Sequence, residues 1–329
     1  MQSAVEKSNI SFVFQGPVGH RGGNLASNII NTKSVFPDAE FILSTWLGAD
    51  ETVFDQFDKV ILNKDPGTVF IEPVTGYPNN ILRQVVSTVN GLKAASRKYA
   101  VKIRTDFSIV NHRFIENWSS FSPANPEAMI FSKPVAILSL GCNDPTRRND
   151  LFHCSDFFYF GLLEDLLLYW DVEDRVKSEK NRMLRVSEKI LHPLYGILFG
   201  RLAIEQELFG FFMDRKYGDR FRIKYRDQFS KDLLFLSETL LLNNFLLLDA
   251  LDSGVVVPER INKISRLGHH YDPREVPIIS NDYRNVLESR YVKALIARYR
   301  FMPRQIMLTI FSLVAHSLLR VSGKRSRPN

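Results

Sequence analysis

The chain has 329 residues, of which 45% are hydrophobic and 24% are charged, so it is long enough to bury a full core in one large domain. Its 25 Phe, 11 Tyr and 3 Trp residues exclude a disordered chain, because disordered segments lack the apolar surface that offsets chain entropy. Two cysteines, Cys142 and Cys154, cannot form a disulfide framework, and the start of the chain has no apolar signal segment. These features predict a cytoplasmic protein with two buried thiols.

The formal net charge is +7, and it is concentrated near the carboxyl terminus. From Arg290 onward there are nine basic residues and no acidic one, which leaves 34 Lys and Arg against 36 Asp and Glu in the rest of the chain. A near-neutral body lacks the basic, aromatic-lined face that nucleic-acid binding needs, so we predict no nucleic-acid partner. We expect the basic segment to meet an anionic partner instead.

The first third of the sequence alternates strand and helix patterns. Short apolar runs bounded by turn residues predict buried strands over 10–14, 40–46, 59–63 and 99–104. Helical spacing of apolar residues predicts helices over 24–36 and 79–98, with a short helical connection over 49–57. Four strands joined by helical crossovers predict an α/β fold with a Rossmann-type, mostly parallel sheet and helices on both faces.

The rest of the chain has less regular patterns. Strands are predicted over 128–140 and 151–160, and helices over 162–170 and, with a break near Pro193, over 186–212. The stretch 231–251 is apolar enough for a helix or a strand, and its periodicity does not separate the two. We divide the chain into one domain over 1–285 and a carboxyl-terminal segment over 286–329.

The carboxyl-terminal segment contains fifteen mostly apolar residues, 305–319, between Arg304 and Arg320. This run is too short and too polar to cross a hydrocarbon layer, which needs about 20 apolar residues. Its acid-free basic flanks favour an amphipathic helix lying on the anionic inner face of the cell membrane. The alternative is a terminal helix packed on the core.

The predicted sheet places several polar segments at one rim, because ligands of open parallel sheets bind beyond the carboxyl ends of the strands. Four segments follow the four strands: Gln15-Gly16-Pro17, Ser44-Thr45-Trp46, the stretch from Asn63 through Asp65 to Gly67, and Thr105-Asp106. The first turn is neither a Walker loop nor a GxGxxG motif, so neither a P-loop kinase nor a dinucleotide enzyme is indicated.

Asp106 is the first candidate for a functional residue. An aspartate at the end of a hydrophobic strand is poorly solvated unless positive charge meets it, and a divalent cation (Mn²⁺ or Mg²⁺) that holds a diphosphate would supply that charge. The alternative is an aspartate that caps the turn after the strand. Lys102 and Arg104 share its face by strand alternation and point either toward phosphates or into solvent.

A second candidate for phosphate binding opens the long helix, where free backbone amides and the helix dipole favour anions. Here Arg83 would clamp a phosphate, Asn80 would read a base or ribose, and Gln84 lies beside them. The alternative is a plain helix cap with a solvated arginine.

Carboxylates elsewhere are candidates for proton transfer. Asp156 lies between His153 and an aromatic run, and it is a candidate general base for an attacking sugar hydroxyl; a polar turn is the alternative. Glu205 and Glu238 are further candidates, with exposed helix surface as their alternative. The pair His269-His270 would suit a metal ion or an exposed loop.

Several ordered segments resemble the WavE lipopolysaccharide synthesis family over about residues 10–263. The segments are Phe14-Gln15-Gly16-Pro17-Val18, 36–46, Lys64-Asp65-Pro66-Gly67, Asn79-Asn80-Ile81-Leu82-Arg83-Gln84 with Ser87-Thr88 and Gly91-Leu92-Lys93, 102–106, 155–161 and Asn243-Asn244-Phe245.

This resemblance implies a GT-A-like glycosyltransferase with a nucleotide-sugar donor, a glycan or lipid-linked glycan acceptor, and a metal-binding aspartate, which is Asp106. The matching stretch is Arg104-Thr105-Asp106, with an arginine where the first acidic residue of the metal motif stands. Arg104 is therefore a second candidate for neutralising the diphosphate.

These observations together predict transfer of a sugar to a lipopolysaccharide, O-antigen or capsule glycan, with Asp156 preferred over Glu205 as the base. Two other functions remain open from the sequence. A nucleotidyl or phosphosugar transferase would use a similar rim but attack phosphorus. A non-catalytic scaffold of polysaccharide assembly would use only the membrane-associating segment.

Overall fold

The computed structural model describes residues 5–19, 24–69, 79–148, 150–183, 202–224, 226, 228–265 and 268–321. Most of the helix predicted over 186–212 lies outside these ranges, and its described part begins at residue 202. No helix within them is long and apolar enough to span a membrane.

A seven-stranded mixed sheet forms the centre of the protein. Its strands, with a separate two-stranded ribbon of β5 and β9, are β1 (Ile10–Gln15), β2 (Glu40–Trp46), β3 (Lys59–Asn63), β4 (Tyr99–Arg104), β5 (Ser108–Ile109), β6 (Val135–Leu138), β7 (Tyr159–Leu162), β8 (Phe245–Leu248) and β9 (Val255–Val256). The strand order is β3-β2-β1-β4-β7-β6-β8. Only β7 runs antiparallel to its neighbours in this sheet.

Helices cover both faces of the sheet. The described helices are α1 (Leu25–Val35), α2 (Ile81–Ala94), α3 (Arg113–Ser120), α4 (Leu163–Trp170), α5 (Glu173–Met183), α6 (Ile204–Tyr217), α7 (Lys231–Asn244), α8 (Ala250–Ser253), α9 (Glu259–Ser265), α10 (Val276–Asn281) and α11 (Tyr283–Val321). The predicted α/β class, with a mostly parallel sheet, flanking helices and a carboxyl-terminal helical extension, is confirmed.

Strand alternation divides the core into two layers. In β1, Val13 faces the layer that contains α2, whereas Phe12 and Phe14 face the layer that contains α1 and α3. Helix α1 begins where the Asn24 side chain accepts a hydrogen bond from the Ser27 amide, as expected of an N-cap. The two layers fix the sheet between helices, so the strand ends keep a defined position.

Two predictions for the later strands and helices are corrected by the structure. The strand predicted over 151–160 is confined to Tyr159–Leu162, because the preceding backbone bonds to side chains and not to a neighbouring strand. The Phe152 amide, for example, donates to Ser237 Oγ and the Ser155 amide contacts Cys142 Sγ. The ambiguous stretch 231–251 is helix α7 followed directly by β8.

The terminal helix α11 is attached to the body by a buried ion-pair cluster. Arg290 is 8% exposed, and its guanidinium donates to both carboxylate oxygens of Glu238 and to Asp144 Oδ1 at 2.8 Å. Tyr271 and Tyr283 donate their hydroxyls to the same Glu238 at 2.9 and 2.7 Å. One continuous helix therefore runs across the predicted boundary between residues 285 and 286, and its first turns belong to the packed body.

Helix α2 lies directly on the sheet at Gly91, where a side chain would not fit. A Cβ on Gly91 would lie 2.3 Å from Val13 Cγ1 and 3.0 Å from Ser44 Cβ. We expect Gly91→Ala to lower the free energy of unfolding by about 1–3 kcal/mol, because overpacking forces the helix away from β1 and β2. Denaturant unfolding measures this change.

A matched control is Gly210→Ala in α6, where the nearest atom to the new Cβ is Arg222 Cγ at 3.8 Å. Alanine is the better helix former by roughly 1 kcal/mol, so this variant is expected to be as stable as the parent protein or more stable. Equal effects of the two substitutions would contradict the close approach of α2 to the sheet.

Candidate functional site at the strand ends

The predicted convergence of the four strand ends is present in the structure. Gln15 pairs with Ser44 on one side and with Arg104 on the other, and Trp46 pairs with Asn63. The Thr105 amide donates to the Gln15 carbonyl at 3.2 Å. The segments after β1 to β4 therefore meet at one rim.

The turn after β1 is held by hydrogen bonds to its neighbours. The Thr105 hydroxyl donates to the Pro17 carbonyl at 2.8 Å, and the Ser87 hydroxyl donates to Gln15 Oε1 at 2.8 Å. Gly16 has a φ of 120°, which a residue with a Cβ rarely adopts. This explains why glycine stands between Gln15 and Pro17 at the rim.

Several buried acceptors beside this turn have no hydrogen-bond partner among the described residues. They are the hydroxyl oxygens of Thr45 and Thr88 and Oε1 of Gln84. Buried polar atoms are nearly always paired in proteins. Thr45 and Thr88 are fully buried, whereas the Gln84 side chain is partly exposed, so of these three residues Gln84 is the candidate for contact with a bound polar group. Thr45 is one of the residues that the sequence places at the rim, and Gln84 belongs to the predicted phosphate-binding group at the start of the long helix.

Arg83 is paired within the chain. Its guanidinium donates to both oxygens of Asp65, at 2.7 and 2.6 Å, and to Asn80 Oδ1 at 3.0 Å. The pKa of Asp65 is lowered, chiefly by the hydrogen bond from Arg83. Both side chains are partly exposed, so the predicted phosphate clamp is part of a solvated ion pair at the mouth of the rim.

Asp106 lies between two arginines. Its side chain is 2% exposed, and Arg104 Nε donates to its Oδ1 at 2.9 Å. Arg260, from α9, donates to the other oxygen, and its own side chain is 55% exposed. The guanidinium of Arg104 also lies over the rings of Phe107 and Phe157, at 5.8 and 5.7 Å. The carboxylate at the end of β4 therefore forms an ion pair with each guanidinium group.

The residues around Asp106 fit arginine binding and do not fit a divalent-ion site. Both carboxylate oxygens accept hydrogen bonds from guanidinium groups. Across the described ranges, no three His, Cys, Asp or Glu side chains are grouped so that they could hold a metal ion. Metal binding by Asp106 stays a prediction, and no mechanistic step is derived from it.

Lys102 is buried two residues before Arg104. Its ammonium donates to the Asp156 backbone carbonyl and lies 4.7 Å from the ring centroid of Trp170. Burial lowers the pKa of Lys102 to about 7, against the opposing effect of the Asp156 charge. Lys102 therefore connects β4 to the segment before β7 and does not extend into the rim as a free cation.

The antiparallel direction of β7 brings Asp156 to the rim. Lys102 in β4 pairs with Tyr159 in β7, so residues before Tyr159 lie beside residues after Lys102. Asp156 is 6% exposed, and its charge acts on both Lys102 and Arg104. Its carboxylate has no hydrogen bond to any other described residue, which leaves it available to a substrate.

Glu205 lies beside His153. Glu205 Oε2 is 3.7 Å from His153 Nε2, while His153 Nδ1 donates to the Gly141 carbonyl at 2.8 Å. The pKa of Glu205 is raised, first by burial and also by the negative charge of Asp156. Asp156 and Glu205, which the sequence offers as separate candidates, thus form one electrostatically linked pair.

Other predicted residues have structural roles. Cys142 and Cys154 are buried free thiols, as predicted. Placing Glu238 on an exposed helix surface is wrong, because it is fully buried in the Arg290 cluster. Asn244 Oδ1 accepts from the Ile130 amide at 2.6 Å. No sequence pattern pointed to Arg260, which is separated from Asp106 by 154 residues.

A Rossmann-type sheet whose strand ends carry arginines and carboxylates is typical of enzymes that bind phosphate-bearing substrates at that edge. The chain belongs to the WavE lipopolysaccharide synthesis family, whose sequence profile matches residues 10–313. Family membership supports a role in lipopolysaccharide synthesis.

Comparisons with individual proteins add little. Among curated proteins, none matches this sequence. Among solved structures, the crystal structure of S. aureus TarS 1-349 is 11% identical, with 89% of this chain and 91% of that chain covered and a TM-score of 0.26. This likeness is too low to support an inference.

The low pKa of Lys102 predicts a pH-dependent effect of Lys102→Met on stability. Between about pH 7 and 10.5, the unfolded parent chain binds a proton at Lys102 that the folded chain has released. The parent is therefore expected to gain stability relative to the variant as pH rises through this window, by at most about 1.4 kcal/mol per pH unit.

Denaturant unfolding at several pH values measures this difference. The variant also removes the donor to the Asp156 carbonyl, but this cost does not depend on pH. Lys263→Met, which removes an exposed lysine, is the control. A stability difference for Lys102→Met that stays constant across the window would show that Lys102 keeps its charge when buried.

Proposed function

We propose that this protein is a glycosyltransferase that moves a sugar from a nucleotide-sugar donor to a glycan of the lipopolysaccharide, O-antigen or capsule class. Family membership supports a role in lipopolysaccharide synthesis. The observation that carries the proposed chemistry is the placement of Arg104 and Arg260 around Asp106, with the carboxylate of Asp156 in the same electrostatic group. Positive charge can stabilise a departing diphosphate, and a carboxylate can accept the proton of an acceptor hydroxyl.

The donor diphosphate is proposed to bind at Arg104 and Arg260. A guanidinium group has five N–H donors in a rigid plane, so each arginine keeps donors for phosphate oxygens after pairing with Asp106. Asp106 fixes the two groups in place before the substrate arrives. Donors that are positioned in advance stabilise the negative charge that develops on the departing diphosphate.

The acceptor is proposed to react beside Asp156. In an inverting transfer, the acceptor oxygen forms a bond to the anomeric carbon, the bond from that carbon to the diphosphate oxygen breaks, and the acceptor proton passes to Asp156. Asp156 interacts electrostatically with Arg104, which belongs to the proposed diphosphate site, and with Glu205. The interaction with the diphosphate site favours Asp156 over Glu205 as the group that takes the proton.

Asp156→Asn tests the assignment of the base. We expect kcat to fall by about 10²–10⁴-fold, because the amide cannot accept the proton, while donor binding is retained. The assay is release of nucleoside diphosphate from a panel of UDP-, GDP- and dTDP-linked sugars by the full-length protein with a polysaccharide acceptor fraction. Asp174→Asn, at an exposed position in α5, is the control. Full activity of Asp156→Asn would show that Asp156 is not the base.

Arg260→Gln tests the assignment of the diphosphate site. This variant removes one of the two charges, so we expect weaker donor binding, with a roughly 10- to 100-fold higher KM for the donor. Arg260→Lys is expected to recover only part of the loss, because an ammonium lacks the planar fork. EDTA is expected to leave the activity of the parent enzyme unchanged. Loss of activity in EDTA that Mn²⁺ restores would instead support a metal at Asp106.

A further inference from the structure

A basic cavity lies where α11 meets the body of the protein. Its volume is about 570 Å³, and its lining includes Arg147, His269, Lys293 and Arg300 without any Asp or Glu. Arg147 is already engaged, since its guanidinium lies 3.2 Å from Glu275. Lys293 and Arg300 are exposed and have no ion-pair partner among the described residues. The cavity therefore presents two uncompensated cations seven residues apart, on one side of the helix.

An apolar stripe runs along α11 beside this cavity. Six large apolar side chains are more than half exposed: Val292, Ile296, Tyr299, Met307, Ile310 and Val314. At 3.6 residues per turn they fall within an arc of about 80° and span roughly 33 Å of helix. Ile296 belongs both to the stripe and to the cavity lining, so the two features form one continuous surface.

Charge limits which partner suits this surface. Nine basic and no acidic residues occur from Arg290 onward, and Arg290 is neutralised inside the body by Glu238 and Asp144. A second copy of the chain would bring two such positive segments together, which is unfavourable. Nucleic acid would match the charge but leave the apolar stripe in water. An anionic bilayer satisfies both features, because its phosphates lie directly above an apolar layer.

We propose that the cavity binds the phosphate headgroup of an anionic membrane lipid while the apolar stripe enters the boundary between headgroups and acyl chains. Lys293 and Arg300 donate to the phosphate, and the stripe lies in the plane of the membrane. The Arg290 cluster fixes the start of α11 to Glu238 and Asp144, so docking also sets the orientation of the body relative to the bilayer.

Flotation of the full-length protein with vesicles tests this inference, and it needs no sugar donor or acceptor, so its outcome is independent of the glycosyl-transfer proposal. We expect binding to phosphatidylcholine vesicles that contain phosphatidylglycerol and little binding to phosphatidylcholine alone. Arg300→Gln is compared with Arg320→Gln, which removes one charge from the same segment about 30 Å further along the helix. We expect at least tenfold weaker binding for Arg300→Gln and at most about fivefold weaker binding for Arg320→Gln.

Ile310→Ser tests the stripe separately from the cavity and is also expected to weaken vesicle binding about tenfold, with an unchanged circular dichroism spectrum. Lys98→Gln combined with Arg113→Gln removes two exposed charges elsewhere and serves as the control. If Arg300→Gln and Arg320→Gln weaken vesicle binding equally, the charges act through diffuse attraction to the membrane. That result would overturn the headgroup site in the cavity. Absence of vesicle binding, or a solution dimer that Ile310→Ser disrupts, would assign the stripe to another partner and overturn the proposal.

Discussion

A buried carboxylate is stable only where positive charge or hydrogen-bond donors surround it, and Asp106 meets this constraint through Arg104 and Arg260. Asp106 and Arg104 belong to the end of β4, whereas Arg260 comes from α9 near the other end of the chain. Their ion pairs therefore join the parallel half of the sheet to the carboxyl-terminal third of the protein. The same three side chains give the rim its positive charge, so the architecture and the proposed diphosphate site depend on one interaction.

A second buried ion-pair cluster links the rim to the terminal helix. Asp144 follows β6 at the same edge of the sheet that carries the candidate site, and it accepts from Arg290 of α11. Glu238 in α7 accepts from the same arginine. Loss of one partner from such a cluster leaves a buried charge uncompensated, which explains why α11 starts as part of the body and not as a separate appendage.

Local patterns predicted the parallel half of the sheet well. The bounds of β2, β3 and β4 match the apolar runs 40–46, 59–63 and 99–104. Strands β2 and β4 are buried on both faces, and such strands have continuous apolar sequences. The prediction that 59–63 is buried is wrong, because β3 is the edge strand and its Lys59 and Leu62 are exposed. Contacts between distant segments were not predictable in this way. Arg260 and Arg290 reach carboxylates 154 and 146 residues away, and no spacing rule connects such positions. The count of basic residues therefore placed Arg290 in the carboxyl-terminal basic segment that was expected to meet an anionic partner. In the structure its side chain is buried.

The central claim is that the rim holds a nucleotide-sugar diphosphate and that the nucleophile attacks the sugar carbon. Mass spectrometry of the products, with the full-length protein, the nucleotide-sugar panel and a polysaccharide acceptor fraction, tests it most directly. The account predicts an intact nucleoside diphosphate together with one added sugar on the acceptor. Release of sugar 1-phosphate with a nucleotide joined to the product, release of a nucleoside monophosphate with a sugar phosphate joined to the product, or no reaction with any donor of the panel, would contradict it.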